Sequence, residues 1–161
     1  MRIIVGVMGS GRPLTPAAKA TARRLGSLIA AEGWGLLTGG RASGVMDACS
    51  HGAKDGGGFV IGVLPDTDAT RASSAIDVAI RTGLGDARNV VNVLSSDVVI
   101  ALPGGAGTLS EVALALSARK PVIALGWDPG AALRAAGRII DADTPEAAVT
   151  TARELLSKGL K

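Results

Sequence analysis

The segment Asp97-Val98-Val99-Ile100-Ala101-Leu102-Pro103-Gly104-Gly105-Ala106-Gly107-Thr108 starts as an uninterrupted apolar run and ends in a glycine loop. The run from Val98 to Leu102 suits a strand buried on both faces of a parallel sheet. A helical pattern follows from Thr108 to Ala118, so the segment reads strand, loop, helix. The same order recurs on either side of it. Strands are expected at Arg2 to Met8, Gly35 to Thr38, Phe59 to Leu64, Asp77 to Ile80 and Pro121 to Leu125, each leading into a loop and then a helix or turn. Repetition of this kind predicts an α/β fold: a Rossmann-like three-layer sandwich with a mostly parallel central sheet, in one domain over residues 1–161.

The helices carry their own punctuation. Thr15 can cap the first, Pro16 sits where a missing N–H costs nothing, and Leu25, Leu28 and Ile29 keep one stripe apolar until Gly33. A second helix is expected from Ser43 to Lys54, a third from Ala87 to Leu94, and a closing one from Pro145 to Leu155 with Thr144 as its cap.

A chain of 161 residues can bury a core without disulfides or metal. Apolar types make up 47% of it, yet Trp34, Phe59 and Trp127 are the only aromatics, so Ala, Val, Leu and Ile must fill that core. This poverty excludes single-stranded nucleic-acid binding by stacked aromatics. Seventeen Lys and Arg against fourteen Asp and Glu give +3, scattered too evenly for non-specific DNA binding, so no nucleic-acid partner is expected. With one cysteine, Cys49, and one histidine, His51, neither an intramolecular disulfide nor a Cys/His zinc site can form. Cys49 falls on an apolar helical stripe and reads as a buried structural thiol, while His51 and Asp47 form a surface pair. No apolar stretch reaches the ~18 residues of a membrane span, and no secretory pattern opens the chain. A cytoplasmic protein without a membrane partner is expected.

In an open parallel sheet, ligands bind beyond the carboxyl ends of the strands. The loops there carry Gly9, Ser10 and Arg12; Thr38, Gly39, Gly40, Arg41 and Gly44; and Gly104, Gly105, Ala106, Gly107 and Thr108. Gly39/Gly40 and Gly104/Gly105 each join a strand to a helix, where missing Cβ atoms let backbone N–H groups approach an anion. Tight turns alone would explain one such loop; two on neighbouring strands favour phosphate. No Gly-Lys-Ser/Thr follows and no Gly-x-Gly-x-x-Gly is present, so ATPase and NAD-dehydrogenase readings lose their support. Arg12, Arg41 and Arg88 supply forks that match phosphate oxygens, whereas Arg71 reads equally as a solvated side chain. Thr108 and Glu111 have capping-box spacing, and Glu111 would equally suit a carboxylate facing a ribose hydroxyl or a developing sugar cation. Asp66 and Asp68 are candidates for a Mg²⁺ accompanying a phosphate, although a polar loop with Thr67 and Thr70 explains them as well.

Pro103-Gly104-Gly105-Ala106-Gly107-Thr108-Leu109-Ser110-Glu111, taken with Gly39-Gly40-Arg41-Ala42-Ser43-Gly44-Val45-Met46-Asp47, resembles the LOG superfamily, once mislabelled lysine decarboxylases. The resemblance runs from about Arg2 to Trp127 and includes a complete Pro-Gly-Gly-x-Gly-Thr-x-x-Glu signature. In the cytokinin-activating branch it implies cleavage of the N-glycosidic bond of a nucleoside 5′-monophosphate, with Arg88 and Glu111 in the catalytic positions. That branch has lysine after the arginine, where this chain has Asn89. Thr82-Gly83-Leu84-Gly85-Asp86-Ala87-Arg88-Asn89 is instead similar to the branch of molybdenum cofactor carrier proteins. The resemblance therefore implies a carrier holding molybdenum cofactor as cargo, a phosphorylated pterin or related nucleotide-like anion, without turning it over. Asn89 joins the glycines, Thr108 and the arginines as an implied ligand-binding residue. The alternatives are a phosphoribohydrolase and, with less behind it, a nucleotide-sensing subunit. A homodimer or homotetramer is implied in either main case.

Overall fold

The computed structural model describes residues 1–159; the last two residues of the expected domain lie outside that range. Seven strands form one sheet in the order β4-β3-β2-β1-β5-β6-β7, with every pairing parallel. They are β1 (Ile4–Met8), β2 (Gly35–Thr38), β3 (Phe59–Leu64), β4 (Val78–Arg81), β5 (Val98–Ala101), β6 (Val122–Leu125) and β7 (Ile139–Ala142). The helices are α1 (Pro16–Ala31), α2 (Gly44–Asp55), α3 (Asn89–Leu94), α4 (Ala106–Ser117), α5 (Ala131–Ala136) and α6 (Pro145–Ser157), with a 3₁₀ turn at Gly85–Arg88 leading into α3.

Strand alternation sorts the core into two layers. Val5, Val7, Leu36, Val60, Val98 and Ile100 pack under α1, α2 and α6, which contribute Leu25, Ile29, Val45, Ala48, Cys49 and Val149. Met8, Leu37, Val63, Val99 and Val122 pack on the opposite face under Val93 of α3 and Val112 and Ala115 of α4. Cys49 is fully buried, and burial pushes its thiol well above the ordinary range, as a structural thiol should behave. Thr15 and Thr144 cap α1 and α6 through Oγ1, each with proline just inside the helix.

Three expectations need correction. First, α5 and β7 were not foreseen: Gly130 and Gly137 bracket α5 and read as loop, and the β7 stretch offers only the adjacent pair Ile139-Ile140 between Arg138 and Asp141. Second, α4 begins at Ala106 with Gly105 as its N-cap, so Thr108 lies inside the helix and forms no capping box with Glu111. Third, the helices do not cover both faces of the sheet throughout. Val78 and Ile80 of β4 remain 42% and 41% exposed.

Chain reversal fixes the ligand-binding end. The helix after β1 lies on one face of the sheet and the helix after β5 on the other. The carboxyl ends of β1 and β5, adjacent in the sheet, therefore splay their loops apart and open a crevice.

Candidate functional site

The β1 and β5 loops are tied together at the rim of that crevice. The Ser10 amide donates to the Pro103 carbonyl at 3.1 Å, and the Val45 amide donates to the Ser10 carbonyl at 2.8 Å. A cavity of about 240 Å³ lies beside them, walled by Gly9, Ser10, Arg12, Gly39, Arg88, Asn89, Gly105, Gly107, Thr108 and Glu111. Ten of the sequence-derived candidates, from the ends of β1 and β2 and the starts of α3 and α4, thus meet at one hollow.

The glycines divide by what holds them. A Cβ at Gly39 would collide with the Arg88 guanidinium, which lies close against that backbone. Gly40 and Gly44 have positive φ (74° and 57°), and a Cβ on them would meet the Gly62 backbone and the Ser10 carbonyl. Gly104 faces Thr108 closely. Gly105 is different: its φ of −96° suits any residue, and no atom lies within 4 Å of a Cβ built there. At Gly107 the nearest atom, Asn89 Nδ2, is 4.0 Å away. Protein packing therefore requires neither glycine, and the space over both is open. Beneath it α4 starts with no side-chain cap, leaving its first amides pointing outward at the positive end of the helix.

Arg88 and Glu111 face one another inside the cavity, with Nη1 4.0 Å from Oε1. Both are nearly enclosed, with side-chain exposures of 11% and 8%. Burial lowers the Arg88 pKa despite the nearby carboxylate, and burial raises that of Glu111 against the opposing effects of Asn92 and Arg88. Asn92 Nδ2 donates to Glu111 Oε1 at 2.7 Å. Arg88 Nε is buried with no partner among the described residues, and so is Asn92 Oδ1. An enclosed cation with a spare N–H is suited to an arriving anion.

Asn89 is turned toward α4, donating to Ser110 Oγ at 2.9 Å and, more weakly, to the Gly107 carbonyl at 3.4 Å. It thereby ties the start of α3 to the start of α4 while still forming part of the cavity wall. Arg41, Thr38, Gly40, Gly44, Gly104 and Ala106 stand outside that wall. Arg41 Nη2 donates to both oxygens of Asp66 at 2.9 and 3.0 Å, and Thr38 Oγ1 accepts from the Gly40 amide. Gly104 lines the neighbouring crevice with Arg12 and Pro103. Arg71 is exposed, and His51 pairs with Asp47 at 3.5 Å.

The structure gives Mg²⁺ no support. Asp66 is held by Arg41, Asp68 accepts from the Thr70 amide and hydroxyl, and no metal-binding group of three His, Cys, Asp or Glu occurs among the described residues. Sequence reasoning passed over Asn92 as a site residue. Its signal was present: one amide inside Val90-Val91-Asn92-Val93-Leu94 is a polar group that burial obliges to find a partner. Met46, against Gly39 and Gly11, was missed because an apolar helical residue carries no such mark. Among the described residues no helix is long and apolar enough to cross a membrane.

Comparison with known proteins places this geometry. The molybdenum cofactor binding protein of the phototrophic bacterium Rippkaea orientalis superposes with a TM-score of 0.90 at 48% identity, covering 97% of this chain and 98% of that one. The molybdenum cofactor carrier protein of Chlamydomonas reinhardtii gives 0.89 at 44% identity, covering 98% and 99%. A cytokinin riboside 5′-monophosphate phosphoribohydrolase of Mycobacterium marinum is more distant, 34% identical over 113 residues. Those residues make up 69% of this chain and 60% of that enzyme's length. The profile of the SLOG cluster4 family matches residues 2–153, and with it the chain belongs to that family, LOG-like in fold and close to the molybdenum cofactor carrier branch.

Proposed function

We propose that this protein binds and carries a phosphorylated pterin of the molybdenum-cofactor kind, with the phosphate seated on the first turn of α4. The observation that carries this reading is the open space over Gly105 and Gly107, two glycines that the fold does not require, above uncapped helical amides. Arg88, with its unpartnered Nε, and Arg12 supply charge from either side, while Gly9, Ser10 and Thr108 complete the wall. Gly39 serves by admitting the Arg88 guanidinium, and Asn89 by orienting the α4 turn. The likeness to carrier proteins exceeds the likeness to the hydrolases in both identity and coverage.

The second reading, a nucleoside monophosphate phosphoribohydrolase, is favoured by one observation: Arg88 and Glu111 share the cavity. Against it stands Asn89, at the position where the phosphoribohydrolase branch that the sequence resembles carries a lysine after the arginine. Chromatography of AMP and an isopentenyl adenosine monophosphate after incubation with the protein separates the two readings. The carrier reading expects both nucleotides intact and binding of molybdenum cofactor that Gly105→Leu removes. Base release that vanishes in Glu111→Gln would establish the hydrolase instead. A homodimer or homotetramer is part of the proposal, formed through the uncovered apolar surface of β4 and α3.

A further inference from the structure

Next to the crevice at the ends of β1 and β5 lies a second, apolar cleft of about 260 Å³, between α1 and the ends of β6 and β7. Leu14, Ala18 and Pro103 line both this cleft and the crevice at Gly105, so the two spaces are neighbours. Val45, Leu102 and Leu125 extend the aliphatic lining. Asp143, just past β7, is the one charged side chain in that wall.

Its isolation sets it apart from its neighbours. Asp128 and Asp141 share Arg134, Glu146 is held by Arg24, and Glu32 by Arg153. Asp143 is exposed at the rim of the cleft and has no protein hydrogen-bond or ion-pair partner among the described residues. An aliphatic slot with one free carboxylate at its rim fits a flat ring with two adjacent N–H donors on its outer edge. The 2-amino-4-oxopyrimidine edge, common to pterins and guanine, has that pair. Adenine presents a ring-nitrogen acceptor beside its amino group, which a carboxylate repels. The ends of β5 and β7 lie two strand spacings apart, about 10 Å. That is within the reach of a mononucleotide or phosphorylated pterin.

From this juxtaposition we infer that the cleft is the ring subsite, in which Asp143 reads the 2-amino-4-oxopyrimidine edge of a ligand whose phosphate sits at Gly105. The inference rests on the phosphate cradle proposed above and adds the direction of the ligand, away from Glu111. It predicts a guanine-over-adenine preference that the cradle alone does not.

The test is calorimetric titration of the full chain with GMP, AMP and inorganic phosphate. GMP should bind at least about tenfold more tightly than AMP, the difference made by a charge-assisted bidentate contact. Asp143→Asn should bring GMP to the level of AMP while leaving AMP and phosphate unchanged. Ala18→Phe, which fills the cleft from α1, should weaken GMP and again spare phosphate. Equal binding of GMP and AMP by the wild type, or a preference that survives Asp143→Asn, overturns the ring subsite while the cradle stands. Absence of phosphate, AMP and GMP binding overturns the cradle, and the subsite with it.

Discussion

Glu111 is enclosed beside Arg88 and Asn92, and its burial makes its titration visible in the stability of the fold. Burial raises its pKa above the unfolded value, so the folded protein binds a proton more readily than the unfolded chain does. Its contribution to stability is fully present below the unfolded pKa and is lost as pH rises through the higher folded one. Glu111→Gln keeps an acceptor for Asn92 and removes the titration. Urea unfolding of both proteins between pH 4 and pH 8 should therefore show the wild type gaining on the variant as pH falls. A wild type that loses ground on acidification would mean that Arg88 and Asn92 hold the carboxylate ionised. The glycines give a second test at this scale. Gly105→Leu should cost less than about 1 kcal/mol, since its backbone is ordinary and its surroundings open, yet abolish phosphate binding. Gly44→Ala, at positive φ and against the Ser10 carbonyl, should cost about 1–3 kcal/mol in thermal unfolding.

At the scale of elements, α1 and α2 cross through paired glycines. A Cβ at Gly26 would strike the Cys49 carbonyl and one at Gly52 the Arg23 carbonyl, so the two backbones meet with no side chain between them. Either alanine substitution has to push the helices apart and should destabilise by about 1–3 kcal/mol or more, read as a shift in the urea midpoint. The effect should spare the α4 cradle until the protein unfolds. Neither glycine announces this role in sequence, where both are ordinary helix-interior residues of low propensity. Six of the seven strands and five of the six helices were legible, most clearly where periodicity and capping residues agreed, at Thr15-Pro16 and Thr144-Pro145. Meeting points were less so. That Arg88 lies on Gly39, or that Arg41 belongs to Asp66, depends on how β2, β3 and α3 are brought together, which no local pattern encodes. The site's glycines were found by motif, but which of them face open space and which face protein emerged only from the fold.

On the scale of the whole molecule, one edge strand of the sheet lacks a cover. All-parallel sheets are ordinarily buried on both faces. Here Val78 and Ile80 pair in register with Ile61 and Val63, on the face where α3 and α4 pack, yet no helix covers them. Val90 and Leu94 of α3 are also exposed, Leu94 at 58%, as is Leu84 in the loop before the 3₁₀ turn. Exposed aliphatic side chains on β4 and α3 are costly to leave in water, and such surface is the usual mark of an interface. A second copy related by a two-fold axis would present the same apolar strip to this one, which is what an isologous contact requires. Light scattering coupled to size exclusion should therefore report an oligomer at micromolar concentration. Ile80→Glu combined with Leu94→Glu should reduce the measured mass to that of a single chain. Neither position lines the cavity at α4, so phosphate binding should survive in the monomer if each cradle is complete within one chain. Its loss in a folded monomer would show that the neighbouring copy helps to form the site. A wild type that runs as a monomer would leave the apolar strip without the role assigned to it.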